Sequence, residues 1–342
     1  MAFTHVDCFC GPGGFCTGLH AAGFETLVAI DYVKSCTDTY KTNHPEVHVI
    51  HSDIRKVSES DLMEFIPGGG VDLVTSGMPC ETFSTAGNSS RSFYDDRQVL
   101  FREGIRIANI CNAKMVLFEN VPAIRTKKLF KDSDVKVVDV LYQELRDAGY
   151  VNYKEFILNA EDFGIPQHRE RFFVLACKDP DVVLKPPSYD GPRVTIAEAF
   201  AGLPDVIPNS DVDGVMYTGD ESEYSRKMKD SIFWNRPGFD HILTHQHPPK
   251  HRAKTIERFK LLNAGDNLGA LFDRYRGEKL AEFQACGILP KKKFIGRNHK
   301  LIPNSQSPTV TSHCLDEFVH PYYHRALTVR ECARLQSFPD SY

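Results

Sequence analysis

A chain of 342 residues is longer than one domain usually runs, so a main domain with a second, smaller one is expected. Its 42% hydrophobic and 25% charged residues are those of an ordinary globular protein, and no apolar run reaches the ~18–20 residues that would span a bilayer. The net charge of −4 argues against a uniformly basic surface, but a basic footprint is local, and residues 251–300 hold 12 Lys or Arg against 5 Asp or Glu. The start, Met1-Ala2-Phe3-Thr4-His5, enters a strand pattern with no basic or apolar leader, so a cytosolic or nuclear protein with no membrane partner is expected. The ten cysteines are then free thiols. Cys8, Cys10 and Cys16 form a close cluster without a second group at zinc spacing, so they read as packing residues and no metal is expected.

Strand patterns run over Thr4–Phe9, Thr26–Ile30, Val47–Ile50, Val71–Ser76, Met115–Glu119, Val151–Leu158 and Arg171–Cys177. Helical spacing fills the gaps at Gly14–Ala22, Tyr32–Asn43, Leu100–Ala113 and Val135–Ala148. This alternation predicts an α/β domain, with a mostly parallel, doubly wound seven-stranded sheet and right-handed crossovers. After Cys177 the pattern breaks at Lys185-Pro186-Pro187 and Gly191-Pro192, and periodicity stays weak to about Lys300. Residues 1–184 are read as the first domain, 185–300 as the second, and 301–342, with a helix at Thr328–Ser337, as a return to the first.

The chemistry gathers at strand ends. Asp7-Cys8-Phe9-Cys10-Gly11-Pro12-Gly13-Gly14 turns from the first strand into a helix, where glycines let a ligand approach the backbone. The spacing is not that of a dinucleotide fingerprint. Asp31 ends the second strand, where an acid can accept two ribose hydroxyls, and Asp53 follows the third, placed to meet an adenine amino group. Either aspartate alone would suit a helix cap. Three such strand ends in series point to an adenosine-type cofactor.

Cys80, in Gly77-Met78-Pro79-Cys80, opens a polar loop running to about Arg97, long enough to serve as a lid. A thiol at a strand's carboxyl end can be activated by a helix N-terminus or by nearby cations. Glu119 ends the neighbouring strand, so its carboxyl should share a crevice with Cys80, where it can donate a proton to a ring nitrogen. In Gln167-His168-Arg169-Glu170-Arg171, strand alternation would place Arg169 and Arg171 on one side, able to fork onto a base oxygen or phosphate.

In this order the segments resemble the DNA cytosine-5 methyltransferase family, over Val6 to about Arg171 and again from Arg325 to Tyr342. Arg97-Gln98-Val99-Leu100-Phe101 fits the family's Arg-x-x-Leu-Phe helix start, and Arg325 to Asp340, preceded by Ser307-Pro308-Thr309-Val310-Thr311, is similar to its late scaffold motif. The resemblance implies a Rossmann-like S-adenosylmethionine-dependent fold with a smaller target-recognition domain. It implies methyl transfer to C5 of a flipped cytosine in double-stranded DNA, leaving S-adenosylhomocysteine. Cys80 would add to C6, Glu119 would bond N3 and the exocyclic amine, and Arg171, with Arg169 beside it, would hold the base oxygen and orient Glu119. The cofactor would touch Phe9, Gly11, Gly13, Asp31, Tyr32, Asp53, Ile54, Pro79 and Leu100. DNA would meet Ser84 in the loop beyond Cys80, Gln167, and Lys291, Lys292, Lys293 and Arg297 in the basic stretch. In a prokaryote such an enzyme would work at the nucleoid.

The family continues into a last motif with Gln and Gly-Asn, whereas this sequence ends at Asp340-Ser341-Tyr342, so the chain as given is expected to be incomplete, with that motif either on a second polypeptide or in residues beyond this sequence. Two alternatives stand beside the main reading. The tRNA-methylating branch shares the first half but carries a Cys-Phe-Thr signature, and residues 185–320 hold no such tripeptide, with Ser312-His313-Cys314-Leu315 roughly in its place. A DNA-binding, non-catalytic relative would not need Cys80, Glu119, Arg169 and Arg171 together. An NAD-dependent oxidoreductase would account for the sheet but not for the Pro-Cys loop or the arginine pair.

Overall fold

A computed structural model describes residues 2–79, 100–129, 134–210 and 213–342. They fall into two compact units, Met1–Asn159 with Glu170–Ser188, and Ala160–Arg169 with Tyr189–Tyr342. This division differs from the one read in the sequence: residues 301–342, and the short stretch before Glu170, belong to the second unit.

The first unit is a seven-stranded sheet made of β1 (Phe3–Cys8), β2 (Phe24–Asp31), β3 (His48–His51), β4 (Leu73–Ser76), β5 (Met115–Asn120), β6 (Asn152–Asn159) and β7 (Glu170–Cys177). Its order is β3-β2-β1-β4-β5-β7-β6. The first five strands pair in parallel, and β7 enters antiparallel between β5 and β6. Strand order reverses between β1 and β4, which opens a crevice beyond their carboxyl ends. The helices are α1 (Gly14–Ala21), α2 (Lys34–Asn43), the single turn α3 (Ser60–Met63), α4 (Phe101–Ile110) and α5 (Val137–Asp147).

Every residue of β4 is buried, as a central parallel strand covered on both faces requires. In β5 alternate residues Val116, Phe118 and Asn120 are buried, leaving Glu119 on the more open face. The core packs Val6, Val74, Val116 and Val174 against Phe101, Ile105, Ile107, Leu141 and Leu145. Truncating one such side chain, Ile107 for instance, to alanine costs about 2–5 kcal/mol. Gly104 lets α4 lie close to the sheet, because a Cβ there would sit 2.7 Å from Ser76 Oγ and 3.0 Å from the Phe118 ring.

The second unit holds little regular structure: α6 (Ile196–Phe200), α7 (Glu223–Lys229), α8 (Ala253–Lys260), α9 (Leu268–Arg274), α10 (Gly277–Ala285), β8 (His299–Lys300), α11 (Cys314–Glu317), β9 (Phe318–Val319) and α12 (Val329–Leu335). A capping box starts α12: Thr328 accepts from the Glu331 N–H, and the Glu331 carboxylate accepts from the Thr328 N–H. That carboxylate also takes a two-pronged bond from buried Arg325, at 2.7 and 2.8 Å. Arg325 donates further to Val206 O, Arg334 to Ala199 O and both oxygens of Asp340, and Arg330 to Pro339 O and Tyr342 O. Such pairs withstand burial because nearly every donor finds an acceptor.

Candidate active site

Loop residues after β1 turn sharply, with Phe9, Gly11 and Gly13 all at positive φ (57°, 54° and 104°). Gly13 then begins α1, and the loop is tied back to β2. Asp31 accepts the Gly11 N–H (2.9 Å) on one oxygen and the Val33 N–H (2.8 Å) on the other. Each carboxylate oxygen keeps a second lone pair for a hydroxyl donor. Asp53 begins a 3₁₀ turn at Ile54–Lys56, accepting the Arg55 N–H and pairing with the Arg55 guanidinium at 2.6 Å. That side-chain bond from Arg55 holds its carboxyl down at about 2, so Asp53 is an anion at neutral pH.

These residues enclose a cleft of about 220 Å³. Seven of the nine expected cofactor residues line it: Phe9, Asp31, Tyr32, Asp53, Ile54, Pro79 and Leu100. Gly11 and Gly13 shape the loop that forms its wall. The apolar surfaces of Phe9, Ile30, Ile54 and Leu100 suit a flat base, and the two carboxylates suit hydroxyl and amino donors. Pockets for whole drug-sized ligands hold about 300–1,000 Å³, so this one matches the nucleoside part of a larger cofactor. Ile30, Ser52 and Arg55 also line the cleft. Sequence reasoning missed them, although Ser52 and Arg55 flank the two residues after β3 that it singled out.

Beyond β4 and β5 lies the second half of the crevice. Cys80 and Ser84 fall outside the described residues. The backbone leading to Cys80 is held, since Met78 is buried and Asn120 Nδ2 donates to Met78 O at 3.4 Å. Glu119 Oε1 accepts from Arg171 Nε at 2.8 Å, with both side chains about one-fifth exposed. Pairing Glu119 with Phe173 puts Arg171, two residues away on the same face of β7, diagonal to Glu119. A Cβ on Gly77 would lie 3.9 Å from Glu119 Oε2, so this carboxylate reaches over the end of β4. Arg171 also donates to Glu170 O at 2.7 Å, which fixes the guanidinium.

Two sequence expectations need correction. The alternation that was to align Arg169 with Arg171 starts only at Glu170; Arg169 precedes β7, belongs to the second unit, and donates to Val310 O at 3.4 Å. Gln167 was expected to touch DNA, yet it is buried, its amide donating to Leu335 O and accepting the Val310 N–H. It fastens the second unit from within. Lys291, Lys292, Lys293 and Arg297 are exposed, and Lys293 pairs with Asp273 at 2.6 Å. Nearby a polar basin of about 380 Å³ is lined by Lys250, Arg252, Arg258 and Arg297, with Asp316 as the acid at its wall. The first three of these cations were not picked out from the sequence, because no spacing rule joins Lys250 to Arg297.

Among the described residues no helix is long and apolar enough to cross a membrane. Comparison with known proteins agrees with the geometry. The chain matches the C-5 cytosine-specific DNA methylase family over residues 3–342. It is 30% identical to the type II methyltransferase M.DdeI of Desulfomicrobium norvegicum, over 98% of this chain and 79% of that protein. It is 29% identical to M1.HphI of Haemophilus parahaemolyticus, over 100% and 79% respectively. The fold matches a crystal structure described as a prophage-encoded DNA modification methyltransferase from E. coli, with a TM-score of 0.74 at 22% identity, covering 99% of this chain and 89% of that one. Family and fold together imply the use of S-adenosylmethionine and a DNA substrate. The chain belongs to the C-5 cytosine-specific DNA methylase family and is a cytosine-5 DNA methyltransferase.

Proposed function

We propose that the chain methylates cytosine within a specific duplex DNA sequence through a covalent Cys80–C6 adduct on a flipped base. The observation carrying this reading is the Glu119–Arg171 pair, fixed at 2.8 Å beside Gly77, which follows β4 and lies three residues before Cys80. S-adenosylmethionine, when bound, supplies an electrophilic methyl group on a sulfonium. Phe9, Ile54 and Leu100 would flank its adenine, with Asp31 accepting from the ribose and Asp53 from the exocyclic amine.

Cys80 thiolate would form a bond to C6, pushing the C5–C6 π pair onto C5. Glu119 would bond N3 and the exocyclic amine, stabilising the ring as its electron density rises, while Arg171 orients Glu119 and meets the base oxygen. The C5 pair would take the methyl as the sulfonium sulfur leaves with its electrons. Loss of the C5 proton to solvent would then re-form the double bond and expel the Cys80 thiolate. The exposed Lys291, Lys292 and Arg297, with Lys250 and Arg252 of the basin, would meet DNA phosphates.

The relatives' designation as type II methyltransferases supports a role as the modifying half of a restriction–modification pair. Transfer of labelled methyl groups tests the substrate class: duplex DNA should be labelled and tRNA should not. Labelling of tRNA alone would replace this reading with the RNA-methylating one. Bisulfite sequencing of DNA from cells expressing the protein should show one recurring methylated sequence.

A further inference from the structure

Behind the cofactor loop, α1 and the end of α2 bring a thiol and two imidazoles together. Cys16 and His20 are four residues apart on α1, so their side chains share one helix face. His44 approaches from the C-cap of α2. Cys16 Sγ lies 3.5 Å from His20 Nε2 and 3.4 Å from His44 Nδ1, and the three candidate donor atoms lie within 4.8 Å of one another. Cys16 and His44 are fully buried, and His20 is nearly so.

The spacing has a chemical meaning. Zn–S of about 2.3 Å and Zn–N of about 2.0–2.1 Å at a tetrahedral angle put sulfur and nitrogen about 3.5 Å apart. Both Cys16–histidine distances match that edge. The remaining ring nitrogens also have partners of the kind that orient metal-bound histidines. His20 Nδ1 lies 3.5 Å from Glu46 Oε1, and His44 Nε2 lies 3.3 Å from Thr17 Oγ1. Glu46 is half exposed, so this edge gives an ion a way in.

We propose that Cys16, His20 and His44 form a Zn²⁺ site, through Sγ, Nε2 and Nδ1, with water in the fourth position. A thiolate with two imidazoles is a donor set that selects zinc over hard cations. Burial pushes the Cys16 thiol up to about 12, and a dication reverses that preference, so binding releases the thiol proton to solvent. The ion would replace the 3.4 Å bond that His20 Nε2 accepts from the Thr26 N–H. Its role is positional. Gly13, at the start of α1, closes the cofactor loop, and α2 follows directly on Asp31–Tyr32, so one ion would fasten both helices behind the cleft.

The test uses the untagged full chain. Elemental analysis after purification without chelator should find one zinc per chain. Cobalt substitution should give a thiolate-to-cobalt charge-transfer band that Cys16→Ser abolishes. His20→Gln, at the open edge, should cut zinc content below about a tenth of an equivalent while the protein stays folded. Removing zinc should lower the melting temperature and weaken S-adenosylmethionine binding measured by calorimetry. Folded protein with no stoichiometric zinc and no cobalt band would overturn the proposal and leave the cluster as a hydrogen-bonded network. So would unchanged metal content in both variants.

Discussion

The two compact units bury polar groups in opposite ways. Inside the first, the buried polar groups are mostly uncharged hydroxyls, amides and imidazoles: His5 is wedged between Thr26 Oγ1 and Thr75 Oγ1, and burial pulls its imidazole down to about 3, so it stays neutral. Its carboxylates of interest, Asp31, Asp53 and Glu119, stand at the carboxyl edge of the sheet. In the second unit, three arginines lie fully buried on or beside one short helix, two of them locked onto carboxylates. An apolar core lets the first unit keep its charges at the rim, where chemistry needs them. The second has little regular structure, and the arginine network gives it a fixed shape that short helices would not.

Breaking each region should therefore fail differently. The largest expected loss of stability comes from Arg334→Met, which takes two charge-assisted bonds from buried Asp340 and leaves it the Tyr217 hydroxyl and Arg330 at 4.0 Å. It should cost about 3–5 kcal/mol in denaturant unfolding, with S-adenosylmethionine binding to the remaining folded protein nearly unchanged. A small change would mean that the network is decorative.

Glu119→Gln should leave stability near wild type and lower kcat by about 10²–10³, because the charge opposite Arg171 acts in the transition state. Stopped turnover with an equal fall in stability would instead make Glu119 a structural group. A step smaller, Asp31→Ala should weaken cofactor binding about ten- to hundredfold by calorimetry, since a charged acceptor is lost and the Gly11 loop is freed. Unchanged affinity would remove Asp31 from the site.

A further effect is one of pH. Asp7 is fully buried beside Thr75, its second oxygen has no hydrogen-bond partner among the described residues, and burial raises its carboxyl from 3.8 to about 7. Between those values the folded chain holds a proton that the unfolded chain has lost, so this group's contribution to stability falls as pH rises from about 4 to 7. Asp7→Asn should flatten that part of the stability–pH curve relative to wild type. Parallel curves for the two proteins would show that Asp7 titrates normally.

The same contrast explains what could be read in the sequence. Runs such as Leu27-Val28-Ala29-Ile30 and Met115-Val116-Leu117-Phe118 fall between turns and admit little but a strand, so β1–β7 begin and end within two residues of expectation. Asp31 and Glu119 were legible for that reason: a strand end fixes where its side chain points. Gln167 and Arg169 were misread because their partners, Val310 and Leu335, lie some 140 residues or more along the chain, beyond any local pattern. His44 was missed similarly, since nothing in its own segment announces Cys16. The basic stretch was visible as composition, but not how Lys250 and Arg252 join Arg297 around one basin.

The central claim is that Cys80 becomes covalently bonded to the base. Incubating the chain and S-adenosylmethionine with a pool of duplexes carrying 5-fluorocytosine blocks loss of the C5 proton and traps that bond. The wild type should give a denaturation-resistant protein–DNA species, and peptide mapping should locate the linkage at Cys80. Cys80→Ser should give no such species and lower turnover by about 10⁴-fold or more, with cofactor affinity unchanged. An adduct that survives in Cys80→Ser, or a variant that still methylates DNA at a substantial rate, would contradict the account.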